Sequence, residues 1–211
     1  MTISAADIDA VALAAQELPP AQGNYLESDL VTNLLATVVD YQMNTTAVER
    51  ALDHYRRERW DELRTFDDLE RCCKQFPNDK NGNTALAQYL WGYNLWTRAE
   101  QLRGLVAYFW RHSITTQDAL REWAQRSTFK TDFEGKVKGL GPAVYNWLVM
   151  RQGVETVKPD VHVRRFAETS VGRRLSDDDV VRVVVQAAQR LGIPAYELDW
   201  AIWEAGRRIT P

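Results

Sequence analysis

Cysteine, strand patterns and long apolar runs are all scarce in this chain, and each scarcity removes a class of protein. Its two cysteines, Cys72 and Cys73, are adjacent, which excludes a disulfide framework and any four-cysteine metal or iron–sulfur site. They read as two semi-buried thiols on a helix. No apolar run approaches the roughly 20 residues that span a bilayer. The opening "MTISAADIDAVALAAQELPP" carries acids and no leading basic cluster, unlike a secretory signal. A cytoplasmic protein is therefore expected. No internal repeat or low-complexity tract breaks the pattern, and only "GVETVKPDV" is locally extended. With 211 residues, 45% hydrophobic and 26% charged, the chain is long enough to bury a sizeable core, in one domain or two small ones.

What is present is helical punctuation. Ser4 is placed to cap a first helix that buries Ile8, Val11, Ala12 and Ala15, and "LPPAQGN" breaks it. From Ser28, the pairs Leu30/Val31, Leu34/Leu35 and Val38/Val39 recur every four residues, one broad apolar face of a core helix. Val48, Ala51, Leu52 and Tyr55 continue the pattern. "FPNDKNGN" predicts an exposed loop around Pro77 to Asn83. Helices are expected from Thr97 to Arg111, Thr116 to Gln125 and Pro142 to Met150. Ser176 with three following aspartates starts another, because side-chain oxygen and negative charge suit free N–H groups, and Gly192 ends it. Pro194 opens a last helix ending near Gly206. The fold class expected is all-α.

The stretch "GKVKGLGPAVYNWLVM", Gly135 to Met150, sets two glycines just ahead of a proline and an apolar run. Glycine reaches backbone conformations closed to other residues, and proline suits the first helical position, where its missing N–H would be unbonded anyway. A tight hairpin delivering a helix N-terminus follows, with backbone N–H groups uncovered for an anion. Charge is distributed to match. The formal net charge is −3, yet Lys130 to Arg174 holds nine basic residues against five acids, a basic stretch on an acidic body.

About ten residues past the hairpin helix comes "VKPDVHVRRF". The glycine hairpin, the helix and one acid before "HVRRF" resemble the helix-hairpin-helix (HhH-GPD) DNA glycosylase superfamily, base-excision repair enzymes related to endonuclease III. The family pattern L-P-G-V-G-x-K-T-A, then V-D-T-H-V-x-R, maps onto "VKGLGPAVY" and "KPDVHVRR". Upstream, "LLATVVDYQMNTTAVERAL" is similar to the family's early helix and glutamine-bearing turn, and "YLWGYNLWTRAEQLRGL" to the helix pair before the hairpin. "LDWAIWEAGR" is similar to the closing helix.

The resemblance implies a two-lobed helical fold, with a central domain at 29–156 and a second formed by 1–28 plus 157–211. It implies a DNA repair hydrolase, cytoplasmic and nucleoid-associated, acting as a monomer on double-stranded DNA with a damaged base, an alkylated purine among the candidates. Asp160 matches the catalytic aspartate. Gly139, Leu140 and Gly141 match the hairpin, where the backbone grips a phosphate, often through a monovalent cation; no other cofactor is implied. Lys136, Lys138 and Arg164 join the DNA-binding set, Gln42 falls near the turn that fills the space of an extruded base, and Tyr145, starting the hairpin helix, is the base-pocket candidate. Ala143 stands where bifunctional members carry a lysine nucleophile, Lys138 replaces the hairpin proline, and no cysteine cluster follows Gly206. A monofunctional enzyme without an iron–sulfur cluster is the expectation.

Chemistry supports the same assignment from below. Breaking an N-glycosidic bond builds positive charge on the sugar, so one carboxylate beneath the ring can stabilise the transition state and take a proton from water. Taken alone, Asp160 is also a turn or capping residue after Pro159. His162 reads as a structural hydrogen-bonding residue, and Arg164 and Arg165 either meet phosphate or lie on a helix surface. Trp91, Tyr93, Trp96, Trp147, Trp200 and Trp203 either pack the core or wall a base pocket. Two other classes stay open: a non-catalytic helix-hairpin-helix DNA-binding module, which needs the hairpin but not Asp160, and a helical protein-interaction domain, which needs neither.

Overall fold

The computed structural model describes residues 3–21, 23, 25–40 and 43–209, and every regular element among them is helical. The expected all-α class is therefore observed. No helix among the described residues is long and apolar enough to cross a membrane. The chain forms two compact units, Glu27–Val144 and Met1–Leu26 with Tyr145–Pro211. The second junction thus falls inside a helix, where the sequence placed it at 156/157.

The Glu27–Val144 unit is organised on α2 (Leu30–Val39), every residue of which is buried. Mostly apolar, with Thr32, Asn33 and Thr37 buried among its apolar residues, α2 contacts α3 (Thr45–Glu58), α4 (Phe66–Gln75) and α6 (Trp96–Arg111). Side-chain caps start these elements: Asp29 accepts from Thr32 N, Asn44 from Ala47 N, and Thr65 forms a capping box with Asp68. Such caps satisfy N–H groups that lack an earlier turn to bond.

The expected loop from Pro77 to Asn83 is instead mostly helix. Asp79 caps α5 (Lys80–Trp91) by accepting from Gly82 N at 2.8 Å, and Gly82 and Asn83 are buried. Arg103 on α6 explains the burial. Its Nε donates to Asn83 Oδ1 at 2.7 Å and its Nη2 to the Phe76 and Pro77 carbonyls at 2.9 and 3.2 Å. Asn83 and the Phe76 and Pro77 carbonyls are thus held by one guanidinium, while residues 77–81 stay exposed. The unit continues through α7 (Gln117–Arg126) and a π-helical turn at Phe129–Phe133, capped by Thr128, before the hairpin.

The other unit packs α1 (Ala5–Ala15) against α9 (Val161–Val171) and α10 (Asp177–Leu191), with α11 (Ala195–Ile209) against both α9 and α10. Its core is small and aliphatic: Val11, Val163, Ala167, Val180, Val183, Val184, Ala187, Leu198 and Ile202. Ser4 and Ser176 cap α1 and α10 as expected, and Gly192 ends α10 in the left-handed region at φ +69°. α8 (Pro142–Met150) has the expected bounds. α11 runs past Gly206, because there a glycine lets α9 approach: a Cβ would lie 2.5 Å from His162 Nδ1. His162 accordingly has a packing role.

Candidate functional site

Asp160 is the N-cap of α9. Its Oδ1 accepts from His162 N at 2.9 Å and Val163 N at 3.0 Å, so one oxygen is committed to the helix start and fixes the carboxylate plane. Oδ2 accepts no hydrogen bond from the described residues. The capping role and an open oxygen therefore coexist in one side chain.

The segment leading to Asp160 has no regular structure, and its polar groups are pinned from both sides. Thr156 Oγ1 donates to Asn146 Oδ1 on α8 at 2.6 Å. Glu155 Oε2 accepts from Ala195 N at the start of α11 at 2.8 Å. Lys158 N donates to Asp199 Oδ2 on α11, also at 2.8 Å. These bonds replace the ladder or helix that the backbone lacks here.

Asp199 is only 3% exposed. Burial, and next the charge of Asp160, push its carboxyl up to about 8 against the hydrogen bond from Lys158 N, the Lys158 charge and a hydrogen bond with Tyr25. Above it sits an aromatic cluster. The Tyr25 ring lies 4.7 Å from Trp147, edge-on, and 4.6 Å from Trp200, and Trp200 is 5.8 Å from Trp203. The indole N–H groups of Trp147 and Trp200 are both buried without a hydrogen-bond partner among the described residues, an arrangement native cores avoid. Lys158 Nζ lies 4.8 Å and Arg151 Cζ 5.2 Å from the Trp147 ring, and Arg207 Cζ is 4.8 Å from the Trp203 ring.

Neither Asp199 nor Tyr25 is among the residues singled out from the sequence. A signal for Asp199 exists: Ala195, Leu198, Asp199 and Ile202 are all buried at i, i+3, i+4, i+7, so one acid stands in an apolar stripe. Tyr25 offers none, because it precedes α2 in an irregular stretch.

The hairpin belongs to the other unit. Val137 and Leu140 are buried, and Lys136, Lys138 and Gly139 are exposed. Leu140 N donates to Val137 O at 3.2 Å, closing the turn, and Gln101 Nε2 reaches Gly139 O at 3.3 Å. Val137 packs over Gly104, where a Cβ would meet its Cγ1 at 2.9 Å. The two glycines differ. Gly139 lies at φ +80° and a Cβ there would be 2.7 Å from Gln101 Nε2, whereas Gly141 is outside the left-handed region with nothing within 4 Å of a Cβ. The left-handed region is thus occupied at Gly139 and not at Gly141, and among the described residues nothing requires glycine at 141.

Other candidates divide between internal work and exposure. Arg164 Nη1 donates to Leu175 O at 2.7 Å and the guanidinium pairs with Asp177 and Glu168, clamping α9 to the start of α10. Arg173 pairs with Asp7 at 2.8 Å and Arg174 with Glu168 at 3.2 Å. Lys130, Lys136, Lys138 and Arg165 remain exposed. Tyr145 is 6% exposed and Trp91 fully buried. Gln42 lies outside the described residues. Cys72 and Cys73 are buried on α4, and burial pushes their thiols up to about 11 and about 12.

A family described as "Domain of unknown function (DUF8548)" matches residues 11–207, and the chain belongs to that family. No curated protein matches the chain.

Proposed function

We propose that this member of the DUF8548 family is a monofunctional DNA N-glycosylase with the two-lobed helix-hairpin-helix glycosylase fold, releasing a damaged base from double-stranded DNA. The observation that carries it is Asp160: a carboxylate oriented by two backbone N–H groups through one oxygen, with the other oxygen open, beside a buried second acid and an aromatic cluster. An anion so fixed needs no reorganisation when positive charge develops on a sugar.

In the reaction proposed, the C1′–N bond breaks and its electron pair leaves with the base. Asp160 stabilises the cationic sugar and takes a proton from the attacking water, whose oxygen bonds C1′. That proton passes to solvent while the departing base takes up another, leaving an abasic site. The matching position for a lysine nucleophile is Ala143, so no amine there can form the Schiff base that strand cleavage needs. The hairpin contributes a sequence-independent phosphate grip, with Lys136 and Lys138 adding charge. A monovalent cation at the hairpin would be held by backbone carbonyls such as those of Val137, Gly139 and Gly141, each of which accepts one hydrogen bond and keeps a second lone pair. No step is routed through one. On the substrate side, the Trp147 and Trp203 rings already hold side-chain cations. A neutral lesion suits them better than a positively charged alkylated purine.

The test is incubation with a panel of lesion-bearing duplexes, followed by mass spectrometry of released bases, with Asp160→Asn in parallel. Base release that falls by orders of magnitude in Asp160→Asn, with duplex binding kept, is the expected result. Salt-sensitive duplex binding without release from any lesion favours the non-catalytic DNA-binding module, and no salt-sensitive binding favours a protein-interaction domain.

A further inference from the structure

We infer that Asp199 is a positioning residue for Asp160: its buried carboxyl anchors the turn that carries Asp160. This rests on the glycosylase reading for its consequence in catalysis, and on geometry for the rest. Lys158 N, two residues before Asp160, donates to Asp199 Oδ2 at 2.8 Å, and Asp160 N in turn donates to Lys158 O at 2.7 Å. The chain from α11 to the reactive carboxylate is thus two hydrogen bonds long. Movement of Lys158 away from α11 would carry Asp160 with it, and misplacement by about an ångström costs on the order of a hundredfold in rate.

The protonation of Asp199 follows from what faces each acid. Asp160 sits at a helix N-terminus, receives two backbone N–H groups and is half-buried. Asp199 lies within α11 and is 3% exposed. The groups facing it are Asp160 from α9, Lys158 from the preceding segment and Tyr25 from the stretch before α2. Lys158 is the one cation of the three, and its ammonium is also 4.8 Å from the Trp147 ring. Burial and the neighbouring Asp160 charge disfavour the Asp199 anion more than the Lys158 N–H, the Lys158 charge and Tyr25 favour it. The rise of the Asp199 carboxyl to about 8 agrees. A neutral acid still accepts the Lys158 N–H, so an amide should replace it and a methyl should not.

The experiment compares the full chain with Asp199→Asn and Asp199→Ala. Carbon-detected NMR titration of aspartate carboxyls should show a step near pH 8 in the wild type that vanishes in Asp199→Asn. Hydrogen-exchange protection of the Lys158 amide should persist in Asp199→Asn and be lost in Asp199→Ala. These two measurements need no substrate, so they stand even if no lesion is released. Single-turnover base release at neutral pH should stay within about threefold in Asp199→Asn and fall about a hundredfold in Asp199→Ala. The inference is overturned if the step near pH 8 survives in Asp199→Asn, if Lys158 stays protected in a folded Asp199→Ala, or if Asp199→Asn loses as much activity as Asp199→Ala.

Discussion

Lys158 N and Asp199 Oδ2 are 2.8 Å apart, and that bond joins an irregular segment to a buried acid on α11. Ionising Asp199 places a second negative charge beside Asp160 where little water can screen it. The folded-state value of about 8 exceeds the ordinary 3.8. Between those values the folded chain binds a proton that the unfolded chain has released, so the stability linked to Asp199 is full at acid pH and is lost as pH rises toward 8. We expect chemical denaturation of Asp199→Asn and wild type to diverge over that window, the variant gaining up to about 1.4 kcal/mol per pH unit and the gap levelling above pH 8. A gap that does not grow with pH would show Asp199 to be charged throughout.

The helical class and most helix starts were legible because they rest on local chemistry: Ser4, Ser176 and Gly192 act within one turn of themselves. The loop read at Pro77 to Asn83 missed the start of α5, whose buried Asn83 accepts a hydrogen bond from Arg103, 20 residues on. The same cause hid half of the candidate site. Asp160 announces itself beside proline and "HVRR", but its partner Asp199 is 39 positions away in the chain, and Tyr25 meets Trp147 and Trp200 only through the fold. Local pattern does not encode such meetings, although an acid in an apolar stripe marks one end.

Gly82 gives a test of the unit built on α2. A Cβ there would lie 2.0 Å from the Pro77 carbonyl oxygen and 2.7 Å from its carbon, backbone atoms that cannot step aside while Arg103 holds them. Gly82→Ala should cost about 3 kcal/mol or more. Thermal unfolding measures it, and a shift of only a degree or two would mean the turn at Pro77 adapts.

The cysteines should be inert in the native state. Thiols pushed to about 11 and about 12 carry almost no thiolate near pH 8, and the thiolate is the reactive form. A colorimetric thiol reagent at that pH should titrate neither Cys72 nor Cys73 until denaturant is added, and then both. Rapid modification of the folded chain would show that α4 opens readily.

Strand cleavage should be absent. Lys136 and Lys138, the lysines nearest the hairpin, are exposed, and Ala143 supplies no amine. Borohydride should trap little covalent protein–DNA adduct, and the product of base release should be an intact abasic strand. Efficient trapping would identify another lysine as nucleophile, with Lys158 the first to replace.

The two hairpin glycines separate folding from DNA binding. Gly139 is needed by the fold: its φ of +80° penalises any L side chain by about 1–2 kcal/mol, and a Cβ would press on Gln101 Nε2. Gly139→Ala should therefore lower the melting temperature. Gly141 has no such requirement, since a Cβ there meets nothing within 4 Å and its backbone lies outside the left-handed region. Gly141→Ala should melt like the wild type. If a phosphate rests on the N–H groups at the start of α8, however, the new methyl occupies the space through which it approaches. Affinity should then fall about tenfold, equally for every duplex sequence, because a phosphate contact carries no base information. Fluorescence anisotropy on two unrelated duplexes measures both features at once. Unchanged affinity in a Gly141→Ala variant of wild-type stability would remove the hairpin from the DNA interface, whereas a loss confined to one duplex would assign the glycine to base readout.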